Sequence, residues 1–224
     1  MNEQIFLTHI CFIAIAALGA LRLGKEALIS FICLMCILAN IFVSKQIILF
    51  GLHVTATDSL SVGASLGLNL LQENFGRTIT KKAIWLSFGA GMVCTALSQL
   101  HILYTPSIFD ITHEHYHAIF GIIPRIMIAS FTTYIIVQHI EAALYSFLQQ
   151  RIPHLLLVRN FCSIATCQLV DTILFSFLGL YGLVEHIGHI IVLSYVIKII
   201  VLSMATPFLW FTKKIIPSNQ AALS

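Results

Sequence analysis

The 224-residue chain is 58% hydrophobic and only 9% charged, with a formal net charge of +3. A soluble domain carries roughly 25% charged residues, so there is too little polar surface here to cover a water-soluble globule, and a mean hydropathy of +0.95 points to lipid as the surrounding solvent. The Lys and Arg residues are not gathered on one face, which argues against a nucleic-acid partner.

A helix needs about 20 residues to cross a hydrocarbon core about 30 Å thick. Seven segments meet that length: 5–22, 27–50, 59–75, 83–102, 118–148, 155–183 and 187–211. Met1-Asn2-Glu3-Gln4 brings no basic stretch before the first of them, so that run is expected to be a retained helix rather than a cleaved signal. The third segment is studded with Ser and Gly, and its Gly63 and Gly67 form a G-x-x-x-G, a spacing that favours close helix packing. The fourth contains Gly89–Gly91, an expected point of bending. All six cysteines lie inside apolar runs and read as small buried hydrophobes. The pair Cys33 and Cys36 lacks the second pair that a structural zinc site needs. The expected fold is therefore an all-α polytopic membrane helical bundle of about seven transmembrane helices, one domain spanning 1–224.

Orientation follows from the loops, because cytoplasmic loops carry the excess of Lys and Arg. Arg22, Lys25, Arg77, Lys81, Lys82, Arg151, Lys213 and Lys214 fall on one side of the seven segments. Glu3, Asp58, Asp110, Glu114 and Glu185 fall on the other, with Lys45 the one basic residue among them. This alternation puts the N-terminus outside and the C-terminus in the cytoplasm. Trp85 and Trp210 fall near cytoplasmic ends, where interfacial anchors are expected.

Polar groups inside the apolar segments carry the functional information. Glu73, Arg125, Glu141, Arg159, Asp171 and Lys198 are ionisable, and Asn40, Asn69, Gln138 and Gln168 accompany them. A charge at a helix centre costs at least about 2.5–3.5 kcal/mol on insertion scales. Such groups are expected to face the bundle interior and meet one another or a ligand. Asn69 and Glu73 are one turn apart, and Gln138 with Glu141, like Gln168 with Asp171, are three apart, so each pair shares a helix face. Lys198 with Asp171 and Arg159 with Glu141 are candidate ion pairs. Arg125 follows Pro124 and is placed to meet carbonyls freed at a kink. A wet pocket satisfies the whole set, and a transporter accounts for it better than a lipid-facing scaffold does.

An enzyme reading competes. His113, Glu114 and His117 match H-E-x-x-H, the zinc-protease pattern, which needs both His on one helical face and the Glu beside them. The motif falls on the expected outer surface, in a His-rich loop without a third ligand in a matching context. The expectation is a solvated loop, no metal and no cofactor. No G-x-x-x-x-G-K-[ST] phosphate loop is present, so the chain is not expected to hydrolyse ATP itself.

The stretch RNFCSIATCQLVDTILFSFLGLYG resembles the signature helix of the queuosine-precursor transporters, a family also described as vitamin-uptake transporters, with Asp171 and Thr172 at its centre and Arg159, Gln168 and Phe175 around them. Four further segments resemble that family in order: LANIFVSKQIILFG, an Asn-containing helix followed by a Lys-containing turn and a short apolar link; LGLNLLQENFGRTITKKAIW; RIMIASFTTYIIVQHIEAALYSFL; and LSYVIKIIVLSMATPF. The likeness covers roughly residues 39–208, and the first helix is an addition to a six-helix core. The family usually carries an acid where this chain has Asn69, while Glu73 keeps a carboxylate one turn on.

The resemblance implies import of a 7-deazaguanine base (preQ0, preQ1 or queuine) across a bacterial inner membrane for tRNA modification. The guanine-like edge offers a ring N–H and an amino group. Asp171 or Glu73 would accept both, Gln168 or Asn69 would read the neighbouring carbonyl, and Asn40 and Gln138 would complete the polar lining. Phe175, Phe177 or Tyr134 would supply a flat wall. Arg125, Glu141, Arg159 and Lys198 are left for structural or coupling ion pairs. A homodimer is compatible with the sequence.

Overall fold

Two glycines reverse the chain in its first half. The computed structural model, which describes residues 1–151 and 156–212, opens with α1 (Asn2–Leu23) and α2 (Lys25–Phe42), joined by Gly24 alone at φ 113°. At that φ any β-carbon is strained, so glycine makes the one-residue link possible. The same device recurs at Gly76 (φ 85°), which breaks the 45-residue α3 (Asp58–Ile102) into arms 58–75 and 77–102. A straight helix of that length would be about 68 Å long, more than twice the bilayer core. The arms lie side by side instead, since Gly67 of the first approaches Ile32 and Ser87 of the second meets Cys33, neighbours on α2. The break thus falls between the third and fourth expected helices. Gly89–Gly91, the expected bend, keep helical geometry, and Gly91 serves to admit Met127.

The second expected helix, 27–50, is corrected. α2 stops at Phe42, and the chain forms a hairpin of β1 (Gln46–Leu49) and β2 (Leu52–Thr55), paired antiparallel with Leu49 opposite Leu52. Phe50 (φ 50°) and Gly51 (φ 77°) both take positive φ, the geometry of a two-residue turn that matches strand twist. A short run of Ile, Leu and Val has the same mean hydropathy in a strand as in a helix, so apolarity alone could not separate them. Leu49 and Val54 are buried with Leu180, Ile190 and Leu193. The strand edge is tied to α1, where Asn2 Nδ2 donates to the Ile48 carbonyl (2.9 Å) and the Phe50 N–H donates to Glu3 Oε1 (3.2 Å).

A short α4 (His113–Phe120) precedes α5 (Ile123–Arg151), and α6 (Leu156–Phe175) runs into a π-helical turn, Ser176–Leu180, before α7 (Ile187–Thr212). The predominantly helical bundle expected from the sequence is present, with the hairpin as its one sheet among the described residues. Among the described residues, five helical stretches are long and apolar enough to cross a membrane: α1, α2, α3, His113–Glu141 and Cys162–Leu180. Their outer faces are apolar, and Phe12 and Ile15 are each 70% exposed, as side chains meant for lipid should be.

One core joins Ile13, Ala17 and Leu21 of α1 to Leu28, Phe31 and Ile32 of α2 and to Leu60, Leu70 and Leu71 of α3. The G-x-x-x-G sits inside it. A β-carbon on Gly63 would lie 2.5 Å from Ile13 Cγ2, and one on Gly67 would lie 2.7 Å from Ile32 Cγ1. Gly67→Leu is therefore expected to lower stability by about 1–3 kcal/mol through overpacking. Thermal unfolding in detergent measures this, and an unchanged Tm would show that the helices are not in close contact there.

The N-terminus, the hairpin, α4 and the loop before α7 gather at one end of the bundle. His53 of β2 packs its ring against His186 (4.8 Å between centroids) and His189 (6.2 Å), while Val43, Ser44, Ala118, Leu183 and Val184 surround a shared crevice. The Gly24 and Gly76 turns, with their exposed Arg22, Arg77, Lys81 and Lys82, are the opposite ends of the same helices.

Candidate functional site

Each helix around the interior contributes one face. On α5, Met127, Ser130, Thr133, Tyr134, Val137, Gln138 and Glu141 recur at three- and four-residue spacing, which lines them up along one side of the helix. On α6 the corresponding face is Ile164, Cys167, Gln168, Asp171 and Phe175. The first arm of α3 offers Ser61, Ala64, Ser65 and Leu68, its second arm Ile84, Ser87 and Phe88, and α2 offers Cys36 and Asn40. Lys198 reaches in from α7. Together these faces enclose a cavity of about 420 Å³, within the ~300–1,000 Å³ usual for small-molecule sites.

The cavity has a charged station on α6 and α7. Lys198 Nζ donates to Asp171 Oδ2 at 2.7 Å and to Thr172 Oγ1 at 3.0 Å, and Thr172 Oγ1 in turn donates to the Gln168 carbonyl at 2.8 Å. The expected Lys198–Asp171 pair is thus formed, but it lines a cavity rather than being sealed by apolar packing. Its two ends present an anionic acceptor beside a cationic donor. Asp171 Oδ1 accepts no hydrogen bond from the described residues. Thr133, 1% exposed, also lines the cavity, and its hydroxyl has no partner among the described residues. An unmet hydroxyl in an interior cavity is a ready contact for a guest.

The flat apolar wall is built by Phe88 and Tyr134, whose rings meet at 5.1 Å, with Phe131 edge-on to Phe88 at 5.3 Å. Phe175 lines the cavity too. Phe177 points elsewhere and stacks on Tyr181.

Of the residues named from sequence, Asn40, Gln138, Glu141, Gln168, Asp171, Phe175 and Lys198 meet around this one space. Asn40 Nδ2 points at Met127 Sδ, 2.9 Å away. Asn69 and Glu73 are not among the lining residues: the cavity takes Ser61, Ala64, Ser65 and Leu68 from that arm, and Glu73 is exposed near the Gly76 break. Arg125 serves a different purpose. Its guanidinium donates to the Leu178 carbonyl (3.2 Å) and the Tyr181 carbonyl (2.6 Å), so it meets freed carbonyls, but those of the π-helical turn rather than of its own helix. The side chain of Arg159, and with it the expected pair with Glu141, lies outside the described residues, as do the side chain of Trp210 and the tail lysines 213 and 214.

Several lining residues were not singled out from sequence. Ser61, Ser65, Phe88, Ser130 and Thr133 carry no charge and match no motif; extending the Gln138–Glu141 stripe backward by helical turns would have reached Tyr134, Ser130 and Met127. Asp58 was read as an outer-loop acid. It is instead 7% exposed at the start of α3, where Oδ1 accepts from Ser194 (2.7 Å).

The segment around His113 is also corrected. It is the helix α4, not a loop, because Thr112 and Asp110 organise its start: the Thr112 N–H and hydroxyl both donate to Asp110 Oδ1 at 2.8 and 2.7 Å. These bonds hold the Asp110 carboxyl below its usual range. His113 and His117 do lie one turn apart, yet none of α4's residues is buried and no group of three His, Cys, Asp or Glu suited to a metal occurs among the described residues. Among the described residues the geometry gives a protease no third ligand. His117→Ala is expected to leave the solute uptake anticipated from the sequence within about twofold of wild type; an abolished uptake would give α4 a part in it.

The sequence model of the family described as "Putative vitamin uptake transporter" matches residues 62–212. A protein of Bacillus subtilis (strain 168) described as "Probable queuosine precursor transporter" is 32% identical over 202 residues, covering 88% of this chain and 88% of that one. No solved structure matches.

Proposed function

Since the chain belongs to the putative vitamin uptake transporter family and is a multi-pass membrane protein, we propose that it imports a queuosine precursor, a 7-deazaguanine base such as preQ0, preQ1 or queuine, across a bacterial inner membrane. The observation that carries this reading is the Lys198–Asp171 pair opening onto an aromatic-walled cavity. A guanine-type edge presents a ring N–H and an amino group beside a carbonyl. Asp171 Oδ1 accepts from the two donors, and Lys198 or Gln168 donates to the carbonyl. Phe88, Tyr134 and Phe175 cover the ring faces. Asn40, Gln138, Ser130 and Thr133 meet the 7-substituent and the remaining ring nitrogens.

The chain crosses the bilayer seven times in this reading, with the two arms of α3 counted separately. The basic turns at Gly24 and Gly76 face the cytoplasm, and the hairpin and α4 face outward. Glu73, off the cavity, acts outside the binding step.

The test is uptake. Cells lacking their own carrier and expressing this chain are given each labelled base in turn. Accumulation of at least one above the empty-vector level is expected. No accumulation of any of them, with the protein folded in the membrane, would refute the assignment.

A further inference from the structure

Outside the substrate cavity the bundle holds a further carboxylate, buried and incompletely hydrogen-bonded. Asp58 is 7% exposed, and its Oδ2 has no hydrogen-bond partner among the described residues. Buried hydroxyls accompany it: Thr55 and Thr57, whose oxygens are 3.0 Å apart, with Ser59 and Ser194. Ser194 donates to Asp58 Oδ1, and one turn further along α7 is Lys198, the cation that holds Asp171. The ammonium pairs with Asp171 and stands one helical turn from the residue that holds Asp58, so the two acids lie on either side of the same stretch of α7.

From this geometry we infer that Asp58 is the coupling site of the carrier, taking up one proton that is co-transported with the substrate. The inference rests on the transport function proposed above. An anionic oxygen with no donor in a buried setting is costly, and a bound proton removes the charge without needing a further ligand. With Asp58 neutral, Lys198 stays on Asp171, and the pair is intact for the guest's donors and carbonyl. When the proton leaves, the bare Asp58 carboxylate pulls Lys198 toward Ser194 and away from Asp171. The guest then loses its donor, and binding weakens. Proton and substrate consequently favour each other's binding, and by linkage the effect is reciprocal. Titratable groups on the elements around Asp58 include His9 on α1, whose Nδ1 lies 2.9 Å from Ser59 Oγ, His53 on β2, His189 and Tyr195 on α7, and Asp171 on α6 and Glu141 on α5, which line the cavity with Lys198.

The experiment uses purified full-length protein in proteoliposomes, with labelled preQ1, preQ0 and queuine as probes. For wild type, the Kd is expected to rise by up to ~tenfold per pH unit as Asp58 loses its proton, and an inward proton gradient is expected to drive accumulation. Asp58→Asn keeps the shape and the Ser194 bond while fixing the site neutral. It is expected to bind with the low-pH affinity at every pH and to exchange labelled for unlabelled base, while losing all response to the gradient. Gradient-driven accumulation by Asp58→Asn would overturn the proposal, as would loss of exchange in that variant. So would a pH-independent Kd in wild type, a result that holds whether or not the variant folds. A wild type that moves none of the three bases in either assay fails the transport reading itself.

Discussion

Asp171→Asn is expected to weaken precursor binding by about 2–3 kcal/mol, or ~30- to 150-fold in Kd, because in the proposed pose the carboxylate accepts two donors from the base, and the amide that replaces it must offer a donor of its own. Hydrogen bonds to charged groups contribute roughly 1.5–3 kcal/mol each, and a site that has to present an N–H to another N–H loses more than one contact. The change also strips Lys198 of its 2.7 Å counter-ion. The pair is only partly buried, at 19% and 35% side-chain exposure, so the fold should survive with a modest loss of stability. Binding measured on protein that elutes as a single species decides the matter. Wild-type affinity in that variant would remove Asp171 from the site.

Lys198→Met should be harsher. Without the ammonium, Asp171 loses its counter-ion in a partly buried position, and Thr172 loses a donor as well. Removing one partner of a buried pair leaves the other uncompensated, a cost of up to ~3–5 kcal/mol when burial is complete. Uptake is expected to vanish and the folded yield to fall. The double change Lys198→Met with Asp171→Asn removes both charges and should recover much of the yield. It should not recover uptake, because neither the acceptor nor the donor for the guanine edge remains. Comparing the four proteins in one cycle separates folding from recognition. If the double variant transported at the wild-type rate, the ion pair would be a packing feature alone.

The sequence made much of this legible, for a physical reason: ionisable groups are costly in lipid, so those retained in apolar segments are held for a purpose. Asp171, Gln168, Glu141, Gln138, Asn40 and Lys198 stand out by that argument and do converge on one cavity. The same argument could not say which way a helix is rotated, and so Asn69 and Glu73, one turn apart on α3, passed the polarity test yet sit off the lining face. Uncharged lining residues such as Phe88 and Thr133 give no signal at all by cost. Asp58 was hidden by position. It lies at a helix start beside a polar stretch, where an acid is ordinarily solvated, yet here it is buried and bonded to Ser194 of α7. The hairpin escaped because its strands are four residues each, too short for alternation to show against a background of uniform hydropathy.

The claim on which all else depends is that the precursor sits between α2, α3, α5, α6 and α7. A single cysteine placed in that cavity tests it directly: Ser130→Cys in a background where the six native cysteines are replaced, reacted with a small maleimide with and without saturating precursor. The bound base is expected to slow labelling at least about tenfold. Labelling at the same rate with and without a precursor that is still being transported would place the substrate path elsewhere.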